Sequence, residues 1–167
     1  FPDFTAGLNV SLGFKGFDFK AFVYGSFGNE IVCAHKYYTQ TVGTLSNYSV
    51  DRLDRWTAAT PNASQPRMTY DDPNENMRFS DRYVEDGSYI RLRNIQLGYS
   101  FNKSLIEKMR LSKLRIYVSA DNLLTFTDYS GWNPEVSLYQ SNALMAGVDY
   151  ATYPMPTIIT GGVNITF

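Results

Sequence analysis

Five stretches of this sequence alternate apolar and polar residues with a period of two, and no other feature constrains the fold as tightly. In the first stretch Phe4, Ala6, Leu8, Val10, Leu12 and Phe14 fall on one side, against Thr5, Gly7, Asn9, Ser11, Gly13 and Lys15 on the other. A strand sends successive side chains to opposite faces, so a ribbon with one apolar face explains the run and a helix does not. Phe17, Phe19, Ala21, Val23, Gly25 and Phe27 repeat the pattern after a tight Lys15-Gly16 turn, which makes the first two runs a hairpin. Three more runs follow: Ile95, Leu97, Tyr99 and Phe101; Leu114, Ile116, Val118 and Ala120; and Ile159, Gly161, Val163, Ile165 and Phe167.

The expected strands cover residues 4–14, 17–27, 89–101, 114–126 and 157–167. At about ten residues each they have the length that a tilted strand needs to cross a hydrocarbon layer, whereas strands of water-soluble domains run to about five or six. Their connections alternate between short and long: Lys15-Gly16, then residues 28–88, then 102–113, then 127–156. A membrane barrel with one plain periplasmic rim and one elaborated extracellular rim produces that alternation. The surplus of 13 Tyr and 11 Phe also finds a place, because Phe14, Phe17, Phe101 and Phe167 stand at strand ends beside the short turns, with Phe4 and Phe27 at the opposite ends, as in two aromatic girdles.

The expected fold class is therefore all-β, a transmembrane antiparallel β-barrel. Five strands do not close a bacterial barrel, whose strand count is even and at least about eight. The chain is expected to be the C-terminal five strands of a larger barrel, ending on Phe167, an aromatic residue that serves as an assembly signal. Apolar runs such as Ala21-Phe22-Val23-Tyr24 are too short for a membrane-spanning helix, which needs roughly 20 residues.

Composition removes other classes. With 15 basic and 16 acidic side chains the net charge is −1, which offers nucleic acid no electrostatic footprint. A single cysteine, Cys33, allows no internal disulfide and no thiolate metal cluster. The single histidine, His35, and the absence of a G-x-S-x-G elbow leave an outer-membrane barrel enzyme without its base and nucleophile. That enzyme and a soluble carbohydrate-binding β-sandwich are the alternative readings.

Several long motifs resemble one family. The segment 80–99, containing Glu85-Asp86-Gly87-Ser88-Tyr89-Ile90-Arg91-Leu92-Arg93-Asn94, is similar to the C-terminal motif of SusC/RagA-type TonB-dependent transporters. So are Val118-Ser119-Ala120-Asp121-Asn122-Leu123-Leu124-Thr125 and Tyr129-Ser130-Gly131-Trp132-Asn133-Pro134, together with Pro2-Asp3-Phe4-Thr5, Arg55-Trp56-Thr57 and Tyr153-Pro154. The resemblance implies a 22-stranded barrel with an N-terminal plug that this chain lacks, set in the outer membrane of a Gram-negative bacterium. It implies active import of a nutrient, a glycan or a peptide, without enzymatic activity. The implied partners are the rest of the barrel and plug, a SusD-like surface lipoprotein, TonB acting through the plug, the lipid bilayer and the barrel assembly machinery.

Candidate site residues follow from side-chain chemistry. Trp56, Tyr70, Trp132, Tyr139 and Tyr153 lie in the long loops, where aromatic rings stack on sugars or fill a partner's pocket. Arg91 and Arg93 share a face near the outer end of the third strand and can draw an anionic ligand or pair with carboxylates. Asp71, Asp72, Asn74 and Glu75 gather oxygen ligands of the kind Ca²⁺ takes, without the EF-hand glycine and distal Glu; no other cofactor is expected. Residues 103–110 read as a short helical turn capped by Asn102, and Asp121 and Asn122 as the end of the fourth strand, organising the rim.

Overall fold

The structure is a computed structural model that describes residues 1–41, 47–137 and 145–167. Its elements are β1 (Phe4–Phe14), β2 (Phe17–Phe27), β3 (Glu30–Cys33), α1 (Ala34–Gln40), β4 (Val84–Asp86), β5 (Tyr89–Ser100), α2 (Lys103–Ile106), β6 (Lys113–Thr127), β7 (Val148–Asp149) and β8 (Ile158–Thr166). No helix among the described residues is long and apolar enough to cross a membrane. The chain divides into a sheet unit, Pro2–Asn29, Gly87–Asp128 and Pro154–Phe167, and a loop unit built from Glu30–Asp86 and Tyr129–Tyr153.

The sheet unit is one antiparallel sheet in the order β1-β2-β5-β6-β8. β1 and β2 pair along their whole length, from Phe4 opposite Phe27 to Phe14 opposite Phe17. Both residues of their turn take positive φ, Lys15 at 46° and Gly16 at 90°, which matches the turn to the twist of the strands. Gly16 is also required for space, since a Cβ there would stand 2.7 Å from the Ser100 carbonyl oxygen.

Register gathers the alternating apolar residues of all five strands on one face, while Phe22 and Tyr24 of β2 fall on the other. One row runs Phe14, Phe17, Tyr99, Ile116, Val163, and the next apolar row runs Leu12, Phe19, Leu97, Val118, Gly161. Between them on the other face lies the row Gly13, Asp18, Gly98, Tyr117, Gly162. The apolar face is bare: Leu8, Leu12 and Val163 are 60%, 63% and 59% exposed. Monomeric soluble proteins rarely leave a continuous apolar patch of that breadth to water.

The other face carries polar contacts that cross strands. Arg115 of β6 holds both carboxylate oxygens of Asp18 on β2, passing over Gly98 of β5. The Tyr117 ring lies over Gly162 of β8. Asn94 donates to Asp121 at 2.6 Å, and the Arg93 guanidinium stacks on Tyr24 with 4.9 Å to the ring centroid.

Two sequence expectations are corrected here. Asp121 and Asn122 do not end their strand: β6 continues to Thr127 through a bulge that sets Asn122, at φ 53°, and Leu123 opposite the single residue Arg93 of β5. The bulge restores the pairing, with Leu92 opposite Leu124, so the apolar face runs on unbroken. The segment after β5 is helical over the expected span, α2 followed by a 3₁₀ turn, Glu107–Met109, but Asn102, at its N-cap position, makes no side-chain cap. Its backbone carbonyl accepts from Leu105 and Ile106 instead.

The loop unit contains a second sheet in the order β4-β3-β7, with β3 antiparallel to β4 and parallel to β7. Its core is Ile31, Cys33, Tyr129 and Val136, all buried. The first long connection supplies Ile31 and Cys33 and the second supplies Tyr129 and Val136, so the two fold as one body.

Candidate functional site

The loop unit is held by buried polar contacts between its two segments. Tyr129 donates its hydroxyl to Asp149 Oδ2 at 2.5 Å and receives the Cys33 thiol at 3.8 Å. Asp149 Oδ1 accepts from the Thr152 amide at 2.8 Å. Burial pushes the Tyr129 phenol well above its ordinary range, and its hydrogen bond to Asp149 adds to the shift; burial likewise raises the Cys33 thiol to about 11. Both groups stay protonated, as donors of hydrogen bonds must.

A second clasp centres on Glu85 of β4. Its carboxylate receives Lys36 of α1 and, from the other segment, the Ser130 amide and hydroxyl at 2.8 Å each. Burial works against the charge, but these donors outweigh it and hold the Glu85 carboxyl at about 2.

Beside these clasps the first segment forms an open groove of about 860 Å³, within the range of small-ligand sites. Trp56 and Phe79 line it with Gln65, Arg67, Arg78 and Arg82. Trp56 is placed by a backbone hydrogen bond to Gln65 at 2.8 Å, and Ser64 is fixed by the Asp54 carboxylate at 2.9 Å. That bond and the Ser64 hydroxyl hold the Asp54 carboxyl below its ordinary value. Behind the groove a one-water cavity of about 10 Å³ is lined by Arg52, Arg67 and Arg82 together with Asp72. Arg52 is only 4% exposed, yet its Nε and Nη2 have no hydrogen-bond partner, nor do Arg82 Nε and Gln65 Oε1.

The expected site residues do not come together. Trp56 lies in the groove just described. Trp132, at 72% exposed, borders a different cavity of about 180 Å³ with His35, Ser130 and Asp149. Tyr70 and Tyr153 project into solvent at 89% and 84% exposed, and Tyr139 lies outside the described residues. Arg91 is buried on the polar face of the sheet unit, where its Nε donates to Thr125 Oγ1 at 2.9 Å and its guanidinium stacks on Tyr89.

Within the acidic turn only Asp72 turns its oxygens onto the turn's own backbone, while Asp71, Asn74 and Glu75 are exposed. Asp72 accepts from the Asn76 and Met77 amides at 2.9 and 2.8 Å, and Glu75 pairs with Arg78 at 3.3 Å. Among the described residues no three His, Cys, Asp or Glu side chains converge as a metal would require. The small cavity does place a serine, a histidine and an aspartate side by side, but not as a relay. His35 Nδ1 is 3.9 Å from Asp149, beyond hydrogen-bond reach, and the Ser130 hydroxyl is committed to Glu85.

Sequence reasoning missed Gln65, Phe79, Arg82 and Arg52, and it missed both clasps. Only Phe79 carried a visible signal, an aromatic residue in a long polar loop. The clasps join residues such as Cys33 and Tyr129, 96 positions apart, which no spacing rule connects.

No protein-family model matches the chain. Over 99% of its length it is 37% identical to TonB-dependent receptor P3 of Formosa agariphila and 25% identical to TonB-dependent receptor SusC of Bacteroides thetaiotaomicron. Its structure is similar to the RagAB peptide importer in the closed-closed state, with a TM-score of 0.84 and 25% identity over 100% of this chain and 17% of that one. The chain spans 16% of the length of receptor P3 and 15% of SusC. These likenesses run the whole length of the chain, which is similar throughout to a segment of TonB-dependent receptors of the SusC/RagA type.

Proposed function

We propose that this chain supplies five adjoining strands and two extracellular loops of a closed barrel that imports a nutrient, glycan or peptide, across the outer membrane of a Gram-negative bacterium. The supporting observation is the two-faced sheet: an apolar face continuous over five strands, backed by a face of Asp, Arg, Asn, Thr and Tyr. Hydrocarbon solvates the first and a wet lumen the second. β1 and β8 each end the sheet with an unpaired edge, and in lipid every unmet backbone group costs several kcal/mol, so further strands complete the wall. The names of similar proteins, TonB-dependent receptors and the RagAB peptide importer, support TonB-driven transport in company with a SusD-like lipoprotein. The other sheet of the chain has strands of only two to four residues, too small to cover the apolar face as a soluble sandwich would.

The test uses the full-length receptor in lipid bilayers with single spin labels. Labels at Leu8 and Val118 should be quenched by dissolved oxygen, and labels at Asn9 and Tyr117 by a water-soluble nickel chelate. Quenching of both pairs by the chelate alone would refute the membrane reading. Loss of cargo uptake in a strain lacking the receptor, restored by the gene, tests import.

A further inference from the structure

The groove of the loop unit is short of negative charge. Of the three arginines that line it, Arg78 is paired with Glu75, while Arg67 and Arg82 have no carboxylate within ion-pair distance among the described residues. Asp72, which feels the charge of Arg82, spends both oxygens on the backbone amides of Asn76 and Met77. Arg52 lies behind, almost fully buried, with two N–H groups unmatched. Desolvation lowers its pKa, and the neighbouring charge of Arg82 lowers it further. A buried, unpaired guanidinium is expensive, and an anion seated nearby offsets that cost. Arg82 lines both the groove and the cavity that Arg52 reaches, so it links the two.

The remaining lining defines the rest of the ligand. Gln65 Oε1 is a buried acceptor without a donor, which calls for a hydroxyl or an N–H. Trp56 and Phe79 present exposed rings, which take the flat apolar face of a sugar. A ligand with an oxyanion, hydroxyl groups and an apolar ring face satisfies all three demands. We propose that this groove binds an acidic oligosaccharide, its carboxylate or sulfate seated on Arg82 and Arg67 and one sugar ring stacked on Trp56. As a first contact for cargo the site rests on the import reading; as a binding site it stands on the geometry of the loops.

Calorimetric titration of the full-length receptor tests it, with tetragalacturonate as the acidic probe, maltotetraose as the neutral one and tetraglutamate as the acidic peptide. Tetragalacturonate should bind, and binding should weaken about tenfold in Arg82→Gln, the loss of one charge-assisted hydrogen bond. Arg67→Gln, at an exposed position that folding tolerates, should weaken it in the same direction, as should Trp56→Ala and added salt. Equal binding of maltotetraose, or unchanged affinity in both arginine variants, would overturn the anion site. Tetraglutamate binding as tightly as the saccharide would overturn the ligand class. Tight tetragalacturonate binding without its uptake would uphold the site and count against import alone.

Discussion

Arg115 reaches Asp18 from two strands away, its Nε 2.9 Å from Oδ1 and its Nη2 2.5 Å from Oδ2, across the bare backbone of Gly98. The contact exists only because the intervening residue has no side chain, since a Cβ on Gly98 would fall on both the guanidinium and the carboxylate. The fork geometry of Arg115 also fixes how far β2 and β6 can turn about β5.

Gly98→Ala should therefore destabilise the sheet by about 1–3 kcal/mol, the usual cost of forcing extra volume into an occupied site. The check is the urea midpoint of the full-length receptor in bilayers. Arg115→Ala should lower the midpoint too, and the double variant should be less unstable than the sum of the two, because alanine at position 98 no longer displaces an ion pair. Additive effects would mean that the pair and the glycine are independent.

Sidedness gives a second expectation. Val118 and Ser119 are adjacent in β6 and point to opposite faces. An arginine at position 118 should cost about 2–4 kcal/mol if that face meets the middle of a bilayer. Arginine at position 119 should stay within about 0.5 kcal/mol, as for a solvated surface. Equal costs in the same urea titration would contradict the assignment of hydrocarbon to the apolar face.

How much of this could be read from the residues alone depended on locality. The hairpin was legible because Phe4 to Phe14 alternates without a break and Phe17 to Phe27 keeps an apolar residue or glycine at every second position, around a turn whose Gly16 tolerates positive φ. The bulge left a mark as well: Arg93 and Asn94 are consecutive polar residues inside an alternating run, and Asp121-Asn122 answers them on β6. Reading that break as a strand end was the error, because a bulge and a terminus both interrupt a period of two. In the loops nothing repeats. Glu85 meets Ser130 45 residues later, and Trp56 and Trp132, alike in sequence, fall in separate cavities.

Acid should open the loop unit before the sheet. The Glu85 carboxyl, ordinarily near 4.5, is depressed to about 2. A depressed carboxyl contributes stability that is complete above its unfolded value and is lost as the pH falls toward the folded one. Hydrogen exchange around β3 and β4 should speed up between about pH 4.5 and 2. Glu85→Gln should already show fast exchange at neutral pH and little further change on acidification. An acid-dependent rise of the same size in that variant would assign the effect to another group.

Cys33 supplies a reporter for the last expectation. The thiol is fully buried and raised to about 11, so alkylation at neutral pH requires the loop unit to open. Tyr129 closes that unit through its hydroxyl, which joins Cys33 to Asp149. Tyr129→Phe keeps the ring in the core and deletes only the oxygen, leaving the buried Asp149 with one donor fewer. An acceptor stripped of its donor costs about 1–3 kcal/mol, which corresponds to roughly 5- to 150-fold more opening. Maleimide labelling of Cys33 in the intact receptor should accelerate by a factor in that range when reclosing outruns reaction, with labelling in urea unchanged between the two proteins. An unchanged native rate would mean that the ring alone, and not its hydroxyl, holds the two loop segments together.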